Sequence, residues 1–463
     1  RAAYEMLRSL EEAGELGLLP GRPTVRPARV DDAPEIDGRL DDRVWERAAK
    51  ITGFVQQAPL DGAPATEDTE VWVAYDDDHL YLGFHVHYDD RSIMRASRVD
   101  RDQAFADDLM TIYLDTFLDQ QRAYDFDINA YNVQGDGVIS SGGGGDRGPP
   151  SGAAIPRADR SWDALYESDA RVVPDGYTAE LAIPFKSLRY PQREDGEPHR
   201  WGFQIVREIK DKAGENDVWA PISRDQSSFM AQMGLMEGMT DLSTSRNLEI
   251  LPTFTAIQYG EIDASRPAGP AFVNQDTDPD AGVNVKYGLT SNLTADFTVN
   301  PDFSQIESDR PQIEVNQRFP LFFQELRPFF VEVAEIFNVF GPVTLVHTRT
   351  IVDPDYGAKL TGEVGRVSLG VLAANDAAPG RVDDPSDPLA GEKAQVYIGR
   401  ARFDLYSESH IGALVSDREL GDGYSRTAGV DGRFRLGATR SLAFNAVATR
   451  HRDADGREAD GHL

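Results

Sequence analysis

The stretch NLTADFTVNPDFSQIESDRPQIEVNQRFPLFFQELRPFF, residues 292–330, holds both the pattern that builds this chain and the pattern that interrupts it. From Leu293 to Val299 apolar and polar residues alternate, which predicts a strand with two different faces. After Val299 the alternation stops, and prolines recur at positions 301, 311, 320 and 328, where each lacks the N–H that a central strand needs. Eight phenylalanines between Phe303 and Phe340 indicate that this interruption packs against protein.

Strand-like segments continue on both sides of the interruption. On the N-terminal side they include TEVWVAY (69–75), HLYLGFHVHY (79–88) and AYDFDIN (123–129), which predict an all-β fold that begins with an antiparallel β-sandwich. On the C-terminal side longer strands alternate with polar turns. Two alternatives fit that alternation: a strand with one face in lipid and one in a polar lumen, or a soluble sheet with one wet face.

We place the sandwich at residues 22–240 and the longer strands at 241–463. Residues 1–21 are rich in helix formers and are predicted to form a helical extension. Residues 301–341 form the interrupting segment, in which Pro328 begins a predicted short helix. In a barrel such a segment belongs in the lumen or at a rim, because irregular backbone cannot face lipid. The end of the chain, READGHL, has no closing strand pattern, so further strands are expected.

Composition excludes some partners. The chain of 463 residues has 78 acidic and 47 basic residues and a net charge of −31, so nucleic acid is not expected as a partner. It has no cysteine, which excludes disulfides and thiolate metal sites. No run of apolar residues approaches the ~20 residues of a membrane helix.

Four segments, in order, resemble the carbohydrate-binding family 9 module. They are EIDGRLDDRVWERA (35–48), TEVWVAYDDDHLYLGFHV (69–86), DDLMTIYLDT (107–116) and DGYTAELAIPF (175–185). The resemblance implies a β-sandwich that holds a sugar between aromatic faces, with calcium supporting its loops.

Two later segments resemble the bacterial domain of unknown function 5916. They are residues 285–330, which include the opening stretch, and HTRTIVDPDYGAKLTGEVGR (347–366). In that family a family 9-like module precedes an outer-membrane β-barrel. The resemblance therefore implies an antiparallel, incomplete barrel of outer-membrane type over residues 241–463, in contact with outer-membrane lipid.

Tryptophans are the first candidates for sugar contact. Trp72 lies on the opposite side of its strand from Val71 and Val73, so a sandwich that buries the valines turns Trp72 outward. Trp162 follows a glycine-rich loop and is also expected to be exposed. Exposed indoles suit a pyranose, so Trp72 and Trp162 are predicted to form a binding platform, with ordinary interstrand packing as the alternative. The other three tryptophans are assigned to cores; they are Trp45, Trp201 and Trp219.

Acidic residues are the candidates for a metal. The pairs Asp89-Asp90 and Asp107-Asp108 offer the hard oxygens that calcium takes from loops, so a structural calcium is predicted there, with solvated turn acids as the alternative. His85 and His87 share a strand face, as zinc ligands can, but the sequence offers no third ligand at a telling spacing.

The sequence thus leaves three hypotheses for function. The first is a sugar-recognition module joined to an outer-membrane barrel, which captures glycans without chemistry of its own. The second is a secreted glycoside hydrolase that acts on O-glycosyl bonds, although no catalytic pair can be assigned from the sequence. The third is a structural or assembly protein of the cell envelope. Exposure of Trp72 and Trp162 discriminates the first from the third.

Overall fold

The computed structural model describes residues 22–140, 155–243, 248–301 and 325–462, apart from short gaps within these ranges at 157, 161, 224–225, 227, 259, 264–270, 275, 291, 326, 332, 340–343, 383–385, 388, 407–408, 438–439 and 454–455. The predicted helix in residues 1–21 and residues 302–324 of the interrupting segment lie outside this part of the chain. The chain forms two compact units, the first mainly of residues up to Ser245 and the second mainly of residues from Arg246 onward. The predicted boundary was at 240/241.

The first unit contains two sheets. Its strands are β1 (Thr24–Val25), β2 (Ala28–Arg29), β3 (Ala49–Ile51), β4 (Val55–Ala58), β5 (Thr69–Tyr75), β6 (His79–His87), β7 (Leu109–Asp115), β8 (Arg122–Ile128), β9 (Gln134–Ser140), β10 (Glu167–Val173), β11 (Gly176–Pro184), β12 (His199–Ile209), β13 (Glu215–Val218) and β14 (Gly234–Met239). Sheet 1 has the order β1-β14-β12-β7-β8-β9, with β13 paired to β12 and β4 paired to β13. Sheet 2 has the order β10-β11-β6-β5-β2, with β3 added beside β5.

The two sheets enclose one core, which confirms the predicted β-sandwich. Alternate residues of β7, such as Ile112 and Leu114, meet alternate residues of β6, such as Leu82 and Phe84, and all four are fully buried. The intervening residues of each strand point away from this core. Each sheet therefore has an outer face, and the polar side chains of the unit collect on these two faces.

A short helix, α1 (Arg43–Arg47), covers part of the outer face of sheet 2. Its Trp45 packs with Ala74 and Tyr81 in a small second cluster. Trp45, Trp201 and Trp219 are 5%, 1% and 9% exposed, so their assignment to cores is confirmed.

The second unit is built on one antiparallel sheet, sheet 3. Its strands are β15 (Leu248–Ile257), β18 (Asp278–Gly288), β19 (Leu293–Val299), β20 (Tyr356–Val364), β21 (Val367–Asp376), β22 (Ala394–Tyr406), β23 (Ser409–Leu420), β24 (Gly423–Arg435), β25 (Ser441–Arg452) and β26 (Glu458–His462), in that order across the sheet. A separate hairpin pairs β16 (Gly260–Asp263) with β17 (Ala271–Asn274). The all-β prediction is thus confirmed. Within the described residues the first and last strands of sheet 3 do not pair, so the sheet is open.

Strands β19 and β20 of sheet 3 invert the usual distribution, with apolar residues exposed and charged residues buried. On β19, Phe297 and Val299 are 51% and 54% exposed, whereas Thr298 and Asp296 are buried on the other face. On β20, Lys359 is buried beside Asp296, with 3.7 Å between Nζ and Oδ2. The alternation predicted for this strand is therefore confirmed, and its polar face is the covered one.

The described part of the interrupting segment packs on that polar face. It contains α2 (Pro328–Val331), which begins at Pro328 as predicted, and a 3₁₀ turn at Ala334–Phe337. Phe329 and Phe337 pack with Leu372 of β21, and Lys359 donates a hydrogen bond to the Phe329 carbonyl at 2.7 Å. Among the described helices, none is both long and apolar enough to cross a membrane.

Candidate functional site

The outer face of sheet 1 carries a charged cluster that we call the Arg160 network. Asp125 and Asp127 lie on β8 between Tyr124, Phe126 and Ile128, which point into the core, so alternation sends both carboxylates outward. They are 2% and 8% exposed. Two isolated carboxylates this deeply placed are costly unless a cation meets them.

Arg160 supplies that cation from a segment outside the sheet. Asp159 forms a bridge with Val138 at the open edge of β9, and the next residue reaches over this edge. Arg160 Nη1 donates to Asp125 Oδ1 at 2.8 Å, and Nη2 donates to Asp127 Oδ2. Thr111 completes the site by donating to Asp127 Oδ1 at 2.9 Å.

Glycine keeps room for this arrangement. Gly135 on β9 pairs with Asp127. A Cβ atom at position 135 would lie 2.9 Å from Asp127 Oδ2 and 3.3 Å from Arg160 Nη1. Any larger residue would therefore push the carboxylate and the guanidinium apart.

The network continues toward the loop before β7. Asp102 Oδ1 lies 3.9 Å from Arg160 Nη1 and also accepts from the Asp136 N–H at 3.0 Å. Arg101 Nε donates to Asp136 Oδ1 at 2.9 Å. Phe105, three residues after Asp102, is a 60% exposed aromatic side chain.

Burial and charge set the ionisation of the network. Burial, with the negative charge of Asp127, raises the pKa of Asp125 well above its usual value, and Arg160 opposes this shift. Burial also raises the pKa of Asp136 to about 6. Burial works against the charge on Arg160, but Asp125 and Asp127 outweigh it and raise its pKa. The arginine is therefore the permanent charge around which the carboxylates are organised.

Trp162 lies on the other side of β8 from Arg160. Its ring is 4.8 Å from Tyr124 and 5.9 Å from Phe126, measured between centroids, and it packs half-buried against the main core. Trp162 is therefore partly exposed, with the rest of its ring in contact with the core.

Trp72 points away from the main core, as predicted. Val71 and Val73 are fully buried between the sheets, and Trp72 lies half-buried on the outer face of sheet 2. Lys50 Nζ sits 4.9 Å from its ring centroid. Trp72 and Trp162 thus belong to different faces of the sandwich and do not form one platform. Each remains a separate prediction for sugar contact.

The four predicted calcium ligands do not converge. Asp107 already accepts hydrogen bonds from the N–H and hydroxyl of Ser97 and from Asn129 Nδ2. Asp108 accepts from the Tyr88 hydroxyl and from two backbone N–H groups, those of Arg95 and Lys210.

The remaining pair faces water. Asp89 and Asp90 are exposed, and Asp90 accepts from the Ser92 N–H as the cap of a 3₁₀ turn. Asp107 and Asp108 already accept hydrogen bonds from protein donors, whereas Asp89 and Asp90 face water. These four residues therefore do not fit a shared calcium site.

The Arg160 network was not predicted from the sequence. Its signal was present in AYDFDIN, where Asp125 and Asp127 alternate with core aromatics. A buried-strand pattern with two charges on one face calls for a cation, but Arg160 is 33 residues further along than Asp127, and no local pattern links them.

Comparisons with known proteins agree with this architecture. Residues 36–227 match the family described as carbohydrate family 9 binding domain-like, and residues 264–351 match a domain of unknown function, number 5916. The first half of the chain is thus similar to a family 9-like domain, and a segment after it is similar to that second domain.

Individual relatives are distant. Endo-1,4-beta-xylanase C of Paenibacillus barcinonensis is 27% identical over 156 residues, which is 34% of this chain and 12% of that enzyme. A family 9 carbohydrate-binding module from Caldicellulosiruptor kristjanssonii, solved with cellotriose, is 14% identical and covers 47% of this chain and 96% of its own, with a TM-score of 0.33. A putative carbohydrate-binding protein from Bacteroides uniformis is 11% identical and covers 47% and 99%, with a TM-score of 0.37.

Proposed function

We propose that the first unit binds carbohydrate and that the Arg160 network holds the sugar hydroxyls. The family match of residues 36–227 supports the class of ligand. The observation that carries the site is the exposure of Arg160: its side chain is 24% exposed, while its partners Asp125 and Asp127 are almost entirely buried. The buried carboxylates thus hold the arginine in place, while part of its side chain stays accessible to a ligand.

This arrangement suits vicinal hydroxyls. A guanidinium has five N–H donors in one plane, and Arg160 donates two of them to Asp125 and Asp127. Hydroxyls both donate and accept, so a sugar can accept from the guanidinium and donate to a neighbouring carboxylate such as Asp102. Hydrogen bonds to charged groups are the stronger ones, and Phe105 offers an apolar surface beside them.

Affinity electrophoresis in gels that contain soluble neutral polysaccharides tests the site. The variant Arg160→Lys keeps the charge but loses the planar donor set. We therefore expect its affinity for the polysaccharide in the gel to fall by about tenfold or more. Arg26→Lys is the matched control, because Arg26 pairs with Glu237 on the same unit but is 78% exposed and outside the network.

Three results distinguish the possibilities. Selective loss of retention in Arg160→Lys, with thermal unfolding like that of the wild type, supports the proposal. Equal retention by the wild type and Arg160→Lys would remove the network as the site. A wild-type chain that no polysaccharide in the panel retards would overturn carbohydrate binding itself.

We further propose that the second unit lies in the outer membrane as a β-barrel and keeps the sugar-binding unit at the cell envelope, where it captures glycans. The support comes from sheet 3, which has exposed apolar residues such as Phe297 and Val415 and buried charges such as Lys359 and Arg400. Strands β20–β25 are 9 to 13 residues long. This length suits the ~9–11 residues of a tilted strand that crosses a bilayer.

Membrane fractionation tests this second proposal. We expect the full chain in the outer-membrane fraction, resistant to an alkaline carbonate wash and extracted only by detergent. Recovery of folded chain in the soluble fraction would contradict it, without bearing on carbohydrate binding by the first unit.

A further inference from the structure

A second polar cluster lies on the outer face of sheet 2. His85 and His87 are two residues apart on β6, and their ring centroids are 3.8 Å apart. Asp175 meets both rings: Oδ1 is 3.3 Å from His85 Nε2 and Oδ2 is 3.2 Å from His87 Nδ1. Glu70 completes the group, with Oε2 3.6 Å from His87 Nε2.

The sheet register brings these residues together. Glu70 on β5 is directly opposite His85 on β6. On the other side of β6, Gly176 of β11 is opposite His87, so Asp175 arrives at the end of the same row. Two neighbouring strands and the turn before β11 therefore contribute to one cluster, and the third ligand absent from the local sequence, Glu70, comes from across the sheet.

The backbone around Asp175 is fixed. Its carbonyl accepts a hydrogen bond from the Tyr88 N–H at 2.8 Å. Gly176 has φ +149, and a Cβ there would lie 1.9 Å from the Val86 carbonyl oxygen, so only glycine permits this turn. This turn therefore fixes the position of the Asp175 carboxylate beside the two imidazoles.

The ligand atoms are close enough for a single ion. One atom each from Glu70, His85 and His87 lie within 4.8 Å of one another. Lys50 pairs with Glu70 Oε1 at 2.6 Å, which leaves Oε2 directed at the histidines. Two imidazoles and one carboxylate are a donor set that suits a first-row divalent transition ion, zinc above all, because zinc takes three N and O ligands from protein and a fourth position that water can fill.

We propose that Glu70, His85 and His87 form a zinc-binding site on the outer face of sheet 2. Asp175 holds the two rings in place as their hydrogen-bond partner, at His85 Nε2 and His87 Nδ1, and is not itself a ligand of the ion. The histidine and glutamate side chains are about a quarter to a third exposed, so the site is open to an ion from solution. This site does not depend on the proposed sugar site, which lies on sheet 1.

A second acidic cluster among the described residues is a weaker candidate for a metal site. Asp102, Asp136 and Asp163 also lie within 4.8 Å of one another, but Arg101 contacts all three. A guanidinium already fills the position that an ion would take. The cluster that contains His85 and His87, whose imidazoles can bind a metal in their neutral form, is therefore the better candidate for a metal site.

Calorimetric titration of the purified, chelator-treated chain with ZnSO₄ tests the proposal. We expect one equivalent of Zn²⁺ to bind, and His85→Ala and His87→Ala each to weaken binding by at least about tenfold. His79→Ala is the matched control, because His79 lies on the same face of the same strand but contacts Asp76, at 3.8 Å, and the ring of Tyr81 instead of the cluster. It should bind Zn²⁺ like the wild type.

A spectroscopic readout separates a built site from loose association. Co²⁺ in place of Zn²⁺ should give the intense visible absorption of a tetrahedral ion, and Glu70→Gln should reduce it. Thermal unfolding without metal should match the wild type in all variants, since the replaced side chains lie at the surface. No zinc binding by the wild-type chain, or equal binding by His85→Ala, His87→Ala and the wild type, would overturn the proposal.

Discussion

Trp45 donates its indole N–H to Glu180 Oε1 at 2.7 Å and thereby joins α1 to β11 across 135 residues of chain. The other oxygen of Glu180 accepts from the backbone N–H groups of Asp37 and Gly38, at 3.0 and 2.8 Å. Glu180 is fully buried, so one carboxylate organises the N-terminal segment against sheet 2. Burial raises the pKa of Glu180 to about 7, against the effect of these three donors.

Trp45→Phe removes one donor from Glu180 while keeping an aromatic ring. We expect a loss of about 1–3 kcal/mol in the free energy of unfolding, because the buried acceptor loses its partner. The control is Trp201→Phe: Trp201 is 1% exposed and its Nε1 has no acceptor among the described residues. Urea unfolding followed by circular dichroism should show the larger loss for Trp45→Phe. An equal or smaller loss would mean that the hydrogen bond contributes little.

Stability of the first unit should fall as the pH rises from about 4 to about 7. Burial, with the charge of Glu215, raises the pKa of Asp217 to about 7, and burial raises that of Asp115 to about 6. Between its unfolded and folded pKa values such a group binds more protons in the native state, so raising the pH favours unfolding. Once the pH exceeds the folded pKa, this contribution has been lost entirely.

Thermal unfolding at pH 5 and pH 8 checks this sign. The wild type should unfold at a higher temperature at pH 5 than at pH 8. Asp217→Asn should reduce this difference in unfolding temperature. The control Asp89→Asn changes an exposed carboxylate and should leave the difference as it is. A wild type more stable at pH 8 would contradict the prediction.

The two predicted sugar-contact tryptophans should behave differently. Trp162 packs on Tyr124 and Phe126, so Trp162→Ala is expected to lower the unfolding free energy by about 3 kcal/mol or more. Trp72 lies on an outer face under Lys50, so Trp72→Ala should cost less. Comparison of thermal unfolding with gel retention separates structural roles from binding roles. If Trp72→Ala binds glycan like the wild type, Trp72 is not a sugar contact.

Local pattern predicted the fold but not the Arg160 network, and of the histidine cluster it predicted only that His85 and His87 share a face. The alternation at Leu293–Val299 and the outward direction of Trp72 follow from a two-residue period, which is a property of each strand alone. Arg160 meets Asp127 from across an edge strand, and Glu70 meets His87 from a neighbouring strand. Such contacts depend on sheet order and register, which a single sequence does not display.

The polar face of sheet 3 contains a buried ion pair that should be costly to break. Arg400 on β22 and Asp431 on β24 are 2% and 6% exposed at their side chains, and Arg400 Nη2 donates to Asp431 Oδ2 at 2.8 Å. Asp431→Ala leaves a buried guanidinium without its partner, so we expect a loss of about 3–5 kcal/mol. Arg426→Ala is the control, since its pairs with Asp417 and Glu419 are exposed. Equal unfolding of the two variants in detergent would contradict the prediction.

Val415 on the apolar face of sheet 3 distinguishes a membrane environment from water. Its side chain is 56% exposed. In water, Val415→Arg at such a position should change stability by no more than about 0.5 kcal/mol. In a bilayer the same change places a charge in hydrocarbon and should cost about 2–4 kcal/mol near the midplane. Refolding into lipid vesicles, scored by heat-dependent mobility on gels, should therefore fail or slow for Val415→Arg. Val99→Arg, at a 40% exposed valine of the first unit, should refold like the wild type. If both variants refold equally well, the apolar face of sheet 3 does not lie in lipid.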